Sequence, residues 1–310
     1  MPTFRFAILL LLALFVSRPA AAQDRVTVPL PANGAVTAVH GWLSVPTNAP
    51  RPMPAVILSH GSSGRHPAEA EYVRRLNRLG VAVLALDHFE PRGIRSTVAD
   101  QWQVSTFAMA RDILAAADVL AGDPRFAPAR IGVIGFSKGG GASMLAGQRR
   151  IAGRRVEHPP LRLHVAYYPW CGNLPRDMRT MGGATLLLMG GADTYVSVPV
   201  CHEWAAATRA QGGRVEEIVF PGAAHGFDGI GRAWSNPRGE NHAACVFEER
   251  AEGMWQERYS GMLFRLGSPG HRQADRACIR LGVSGGPLPE ARSAAFAVLE
   301  DAIRRHLLAP

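Results

Sequence analysis

The chain has 310 residues, 47% of them hydrophobic and 19% charged, with a formal net charge of +9. This is ordinary globular composition for one large core, and it excludes a repeat array or a low-complexity polypeptide. Lys138 is the only lysine and the arginines are scattered, so the dense basic stripe of a nucleic-acid binder is missing and no nucleic-acid partner is expected.

The first segment reads as a leader. Arg5, an apolar run from Phe6 to Val16, and the exit Ala20-Ala21-Ala22 together form the pattern of a secretory signal peptide. The run is well short of the roughly 20 apolar residues of a spanning helix, and no later stretch is a credible span. The expectation is therefore cleavage after Ala22, an exported chain in the periplasm or the medium, and one domain over 23–310. Four cysteines remain (Cys171, Cys201, Cys245 and Cys278). In an oxidising compartment two disulfides are the default, with three possible connectivities. There is no C-x-x-C pair and no zinc-ligand spacing.

In chain order, Val36 to Val45 reads as an early strand and Asn48 to Pro54 as a Pro-rich turn. Ala55 to Leu58 is a short apolar run of the kind buried parallel strands show. It stops at Ser59-His60-Gly61-Ser62-Ser63-Gly64, and a helical pattern follows from about Ala68 to Leu79. Val81 to Leu86 is the next buried strand. Met109 to Leu120 is amphipathic, and Ile131 to Ile134 is a strand that runs straight into Gly135-Phe136-Ser137-Lys138-Gly139-Gly140. Strands at Leu163–Tyr168, Thr185–Met189 and Val215–Phe220 alternate with helices at His202–Ala210 and Ala291–Leu308. Such alternation predicts an α/β fold, a mostly parallel, doubly wound sheet with helices on both faces. Ligands bind such sheets beyond the carboxyl ends of the strands. The segment from Gly229 to Pro289 is too long for a simple connection. It reads as an insertion that either covers the site or stands away from it.

Three strand ends carry the chemistry. Gly135-Phe136-Ser137-Lys138-Gly139 matches G-x-S-x-G, the sharp strand-to-helix turn that exposes a nucleophilic serine. A serine hydroxyl needs a base, and His225, on the small-residue loop Gly222-Ala223-Ala224-His225-Gly226-Phe227, is the candidate over His60 and His88. The imidazole needs an orienting carboxylate, and Asp193 follows an apolar strand, whereas Asp87 precedes the serine. The order Ser137, Asp193, His225 is that of α/β-hydrolases. An oxyanion needs two donors: the backbone N–H groups of Lys138 and Ser62 are the candidates. The Lys138 side chain is expected to point to solvent, as most lysines do. Together these residues predict a serine hydrolase working through an acyl-enzyme on Ser137. A peptidase or acyltransferase on the same triad, and a binding protein on a hydrolase fold, are the alternatives.

The elbow, the run Gly190-Gly191-Ala192-Asp193 with Val196-Ser197-Val198-Pro199, and the His225 loop resemble the dienelactone hydrolase family over roughly Val36 to Gly229 plus the last helix. The resemblance implies an α/β-hydrolase core, cleavage of a small-molecule ester or lactone, and no metal or organic cofactor. The chain departs from the family's name-giving members in three places. Ser137 stands for their cysteine, Gly61 for a glutamate, and Gly229 for the arginine that holds a substrate carboxylate. It looks like a secreted, serine-bearing branch that also shows Asp87-His88-Phe89-Glu90-Pro91-Arg92-Gly93. On that alignment His60, Phe89, Arg92 and Trp170 are expected around the substrate, with a structural ion pair as the rival role for Arg92. The fold also brings Cys171 and Cys201 to neighbouring ends at the site, so the expected pairs are Cys171–Cys201 and Cys245–Cys278, the second pinning the insertion.

Overall fold

The computed structural model describes residues 23–31, 36–153 and 158–309. The expected signal peptide, residues 1–22, lies outside the described residues.

The chain opens with β1 (Gln23–Pro29), which pairs antiparallel with β2 (Ala38–Ser44). Next come β3 (Met53–Ser59), α1 (Glu69–Arg78), β4 (Ala82–Asp87), α2 (Thr106–Ala121), β5 (Phe126–Phe136) and α3 (Lys138–Gly147). The single turn α4 (Arg149–Ala152), β6 (Leu163–Tyr167), the two-residue β7 (Asn173–Leu174), β8 (Ala184–Gly190), α5 (Val198–Ala210) and β9 (Arg214–Phe220) follow. Eight of these strands form one sheet in the order β1-β2-β4-β3-β5-β6-β8-β9, parallel from β4 to β9, with β2 antiparallel to both its neighbours. β1 was not legible as a strand: its sequence QDRVTVP is short, polar and mostly exposed.

The central strands are buried on both faces, which is why they read as continuous apolar runs rather than as alternation. Side chains along a strand point alternately to opposite faces. Val56, Leu58, Val83, Val165 and Leu186 accordingly join Tyr72 and Leu76 of α1 on one face. The final helix α7, introduced below, supplies Phe296 and Leu299 to that face. On the other face Ala55, Ile57 and Leu84 meet Met109, Ile113 and Ala117 of α2, while Leu187 and Met189 meet Trp204 of α5. The doubly wound arrangement is the expected one. β4 leaves β3 on one side and β5 lies on the other, so the strand order reverses between β3 and β5, the place where such sheets bind ligands.

The segment after β9 is built, not loose. β10 (Trp234–Asn241) pairs with β14 (Arg280–Gly285). Between them β11 (Phe247–Ala251), β12 (Met254–Glu257) and β13 (Leu263–Phe264) form a small sheet whose outer partner is β7, and α6 (Pro269–Cys278) packs beside it. α7 (Pro289–Ile303) then returns to the main sheet and runs on as a wider turn, Arg304–Leu308. Cys245–Cys278 ties the start of β11 to the end of α6, and Cys171–Cys201 ties the loop after β6 to α5. Among the described residues no helix is long and apolar enough to cross a membrane.

Candidate active site

Ser137 sits between the end of β5 and the first turn of α3 with φ 53° and ψ −115°. Only a left-handed backbone turns the chain sharply enough there, and it costs a non-glycine residue of order 1–3 kcal/mol. The flanking glycines are required by contact. A Cβ on Gly135 would lie 2.0 Å from the Gly139 carbonyl oxygen, and one on Gly139 would lie 2.1 Å from that of Ser59. The strain is thus held by strand, helix and the β3 loop together.

The structure brings Ser137, His225 and Asp193 into one hydrogen-bonded line. His225 Nδ1 donates to Asp193 Oδ2 at 2.8 Å, which leaves Nε2 to accept from Ser137 Oγ at 2.9 Å. Asp193 keeps its other oxygen occupied, accepting from the N–H groups of Tyr195 (2.8 Å) and Val196 (3.1 Å). Its side chain is fully buried. The imidazole lies between the rings of Tyr168 and Tyr195, each 4.6 Å away by centroid. Such a line can take the serine proton and stabilise the resulting imidazolium.

A residue absent from the sequence reading anchors the histidine loop. Asp228 is buried and accepts hydrogen bonds from Tyr72 (2.5 Å) and Tyr168 (2.6 Å), and burial pushes its carboxyl up. It joins the loop three residues after His225 to α1 and to the end of β6. The insertion holds the same loop from outside, since Gly286 N–H donates to the His225 carbonyl at 2.9 Å. A Cβ on Gly285 would come within 2.1 Å of that oxygen. The signal in the sequence was a lone aspartate in a small-residue loop, which is weak.

The β3 loop faces the serine. A Cβ on Gly61 would approach the Phe136 carbonyl oxygen to 3.2 Å and Ser137 Cβ to 3.3 Å. Ser62 stands next to it and lines the space in front of Ser137. The Lys138 side chain corrects the expectation: it is buried, not solvated. Its Nζ donates to Thr97 Oγ1 (3.1 Å) and the Gln101 carbonyl (2.7 Å), and burial pushes its pKa down to about 7. Thr97 N–H in turn donates to the Ser62 carbonyl at 2.7 Å, and Ser62 Oγ to Gln101 Oε1 at 3.0 Å. One ammonium therefore clamps the 97–101 turn onto the loop that carries Ser62.

Ser137 lies at the waist between two cavities. One, of about 400 Å³, holds His225 with Tyr72, Tyr168, Asp228, Arg232 and Trp234. The other, of about 130 Å³, is walled by Trp102, Phe107, Trp170, Phe247 and His271, with Asp275 and Lys138 in its lining. Ser62, Ser137 and Tyr195 belong to both. The insertion lines each of them, so it does not stand away from the site. Of the four residues expected around the substrate, Trp170 lines the smaller cavity and His60 the larger.

Phe89 and Arg92 do not line either cavity, and both expectations are corrected. Phe89 is buried against the His60 ring, at 4.5 Å. Arg92 forms a two-pronged ion pair with Asp112, at 2.8 and 2.9 Å, and donates to the His88 carbonyl. It takes the structural role because its guanidinium completes a buried network: His88 Nδ1 donates to Asp112 at 2.8 Å, and His88 Nε2 accepts from Ser59 Oγ at 2.9 Å. Among the described residues, one group has the spacing of a metal site: Cys245, Asp275 and Cys278. Its two sulfurs are joined in a disulfide, so neither is the thiolate a metal requires.

The dienelactone hydrolase family model matches residues 39–259. A Methylorubrum extorquens protein, provisionally described as a carboxymethylenebutenolidase, is 25% identical over 240 residues, covering 68% of this chain and 78% of that one. A Mycobacterium tuberculosis protein of no assigned activity is 29% identical over 185 residues, covering 56% of this chain and 63% of its own length. Among solved structures, a dienelactone hydrolase-like promiscuous phosphotriesterase from metagenomic libraries superposes with a TM-score of 0.59 at 18% identity, covering 92% of this chain and 99% of the other. That likeness establishes the α/β-hydrolase fold.

Proposed function

From the premise that this chain belongs to the dienelactone hydrolase family, we propose that it is a serine hydrolase that cleaves a carboxylic ester or lactone through an acyl-enzyme on Ser137. The observation that carries the reading is the 2.9 and 2.8 Å line from Ser137 through His225 to Asp193, begun by a serine held at positive φ. His225 Nε2 takes the hydroxyl proton as Oγ bonds to the acyl carbon. The backbone N–H groups of Ser62 and Lys138 donate hydrogen bonds to the carbonyl oxygen as negative charge develops on it. As the tetrahedral species collapses, the bond to the leaving oxygen breaks and His225 returns the proton to it. Water then repeats the sequence on the acyl-enzyme and frees the acid.

Two disulfides support an exported, oxidised setting for this chemistry. Labelling of the mature protein with a fluorophosphonate, followed by peptide mapping, tests the reading. A single adduct on Ser137, lost in His225→Ala, is the expected result. Folded protein that takes no label would overturn it.

A further inference from the structure

The two cavities beside Ser137 are not equivalent, and the position of His225 says which part of an ester each receives. The general acid must reach the leaving oxygen, so the leaving group lies on the His225 side, in the larger, more polar cavity. The acyl part is then directed into the smaller cavity, whose lining includes Lys138 but not His225. We infer that this smaller cavity is an acyl site built for a single-ring aromatic acyl group. The inference rests on the serine-hydrolase reading above and deepens it.

Size, walls and rigidity agree. The cavity holds about 130 Å³, close to the roughly 150 Å³ of an apolar engineered cavity that takes up benzene. Its aromatic walls already meet edge to face: Trp102 with His271 at 4.6 Å and 63°, Trp170 with Phe247 at 5.9 Å and 70°, and Phe247 with His271 at 5.5 Å and 86°. These are the arrangements aromatic quadrupoles prefer, and a further ring extends them. Both indoles are fixed by their own N–H groups, Trp170 to the His242 carbonyl at 3.0 Å and Trp102 to Asp275 at 2.5 Å. Each therefore offers its ring carbons, and not its donor, to a guest. A flexible aliphatic chain would gain the same burial but lose more rotamer freedom than a planar ring.

Sequence range adds a second argument. His242, Phe247, His271 and Asp275 all line the cavity and all lie in the insertion after β9, so the far wall is supplied by that segment. The insertion thus completes the acyl site opposite Trp102 and Trp170.

The test compares 4-nitrophenyl acetate, butyrate, octanoate, benzoate and cinnamate on the mature protein, a series with one leaving group throughout. Each kcat/KM is divided by the ester's hydroxide-catalysed rate. Benzoate and cinnamate should exceed butyrate and octanoate by about tenfold or more, the scale on which pocket contacts discriminate. Trp170→Ala should lower the benzoate-to-acetate ratio by about tenfold, and Trp170→Phe should restore most of it. Octanoate turned over as well as benzoate, or a ratio unmoved by Trp170→Ala, overturns the inference while acetate turnover through Ser137 leaves the serine-hydrolase reading standing. No turnover of any ester by folded protein overturns both.

Discussion

Among the described residues, two Ser–His–Asp lines have the same hydrogen-bond lengths. Ser137, His225 and Asp193 are joined at 2.9 and 2.8 Å, and so are Ser59, His88 and Asp112. Distances therefore do not distinguish the serine proposed as nucleophile from a structural one. Three other properties do. Ser59, His88 and Asp112 are each at most 1% exposed, whereas Ser137 opens on two cavities. Ser59 lies within a regular strand, whereas Ser137 is at positive φ. Finally, Asp112 shares its charge with Arg92, whereas Asp193 faces backbone N–H groups and His225. A carboxylate already neutralised by a guanidinium does little for an imidazolium beside it.

The two lines should respond most differently when the serine is deleted from each. Ser137→Ala should lower kcat by about 10⁴-fold or more, the loss usual when a nucleophile leaves a triad. His225→Ala should match it. Ser59→Ala should keep kcat within about threefold while costing about 1–3 kcal/mol of stability, because His88 Nε2 loses its buried partner. Esterase assays and urea denaturation on the same preparations decide it. A large loss of kcat in folded Ser59→Ala would mean that the inner line also serves the reaction.

The second test removes the residue that makes the inner line structural. Arg92→Met strips a buried carboxylate of its cation and should cost about 3–5 kcal/mol, read as a lower urea midpoint. The pH dependence goes with it. Burial pushes the Asp112 carboxyl up, but the bonds from His88 and Arg92 outweigh it and hold it below the ordinary value of 3.8. Its contribution is present above that value and is lost as pH falls through the lowered one. Arg92→Met should therefore flatten part of the acid-side fall in stability below about pH 4. An unchanged acid limb would show that Asp112 draws its stabilisation from His88 alone.

This contrast also marks what the sequence could tell. The outer line was legible because each member follows a strand of the main sheet, β5, β8 and β9, and chain order excluded Asp87 and His60. The inner line was not, because Ser59, His88 and Asp112 gain meaning only when β3, β4 and α2 are packed together. His88 and Arg92 were visible as a motif, but their partner Asp112 is one of several polar residues along α2, beside Arg111 and six positions before Asp118. The turn at 97–101 and the anchor at Asp228 failed for the same reason: their partners are distant in sequence. The insertion was located by its length, whereas its aromatic wall depends on which residues the Cys245–Cys278 bridge and β7 hold against Trp170.

Lys138 failed for a different reason, since a lysine's average behaviour is to stay wet, and this one gives the subtlest test. Lys138→Met keeps the backbone N–H beside Ser137 but removes the clamp on the Ser62 loop. We expect kcat to fall by about tenfold, less than for outright loss of an oxyanion donor. A purely structural lysine would share that loss, so stability against pH separates the cases. The folded pKa is lowered from 10.5 to about 7 by burial, while the unfolded chain titrates near its ordinary value. Between those two values the unfolded chain binds a proton that the folded chain has released, so stability gained from this group rises with pH. The unfolding free energy of the unmodified protein should therefore increase relative to Lys138→Met from pH 7 to pH 9, measured by urea denaturation at each. The neutral amine still donates to Thr97 and Gln101, so the clamp, and with it kcat, should survive that change. A flat stability difference would place the ammonium in water and dissolve the clamp; a rising difference with unchanged kcat in Lys138→Met would keep the burial but free the Ser62 loop from it.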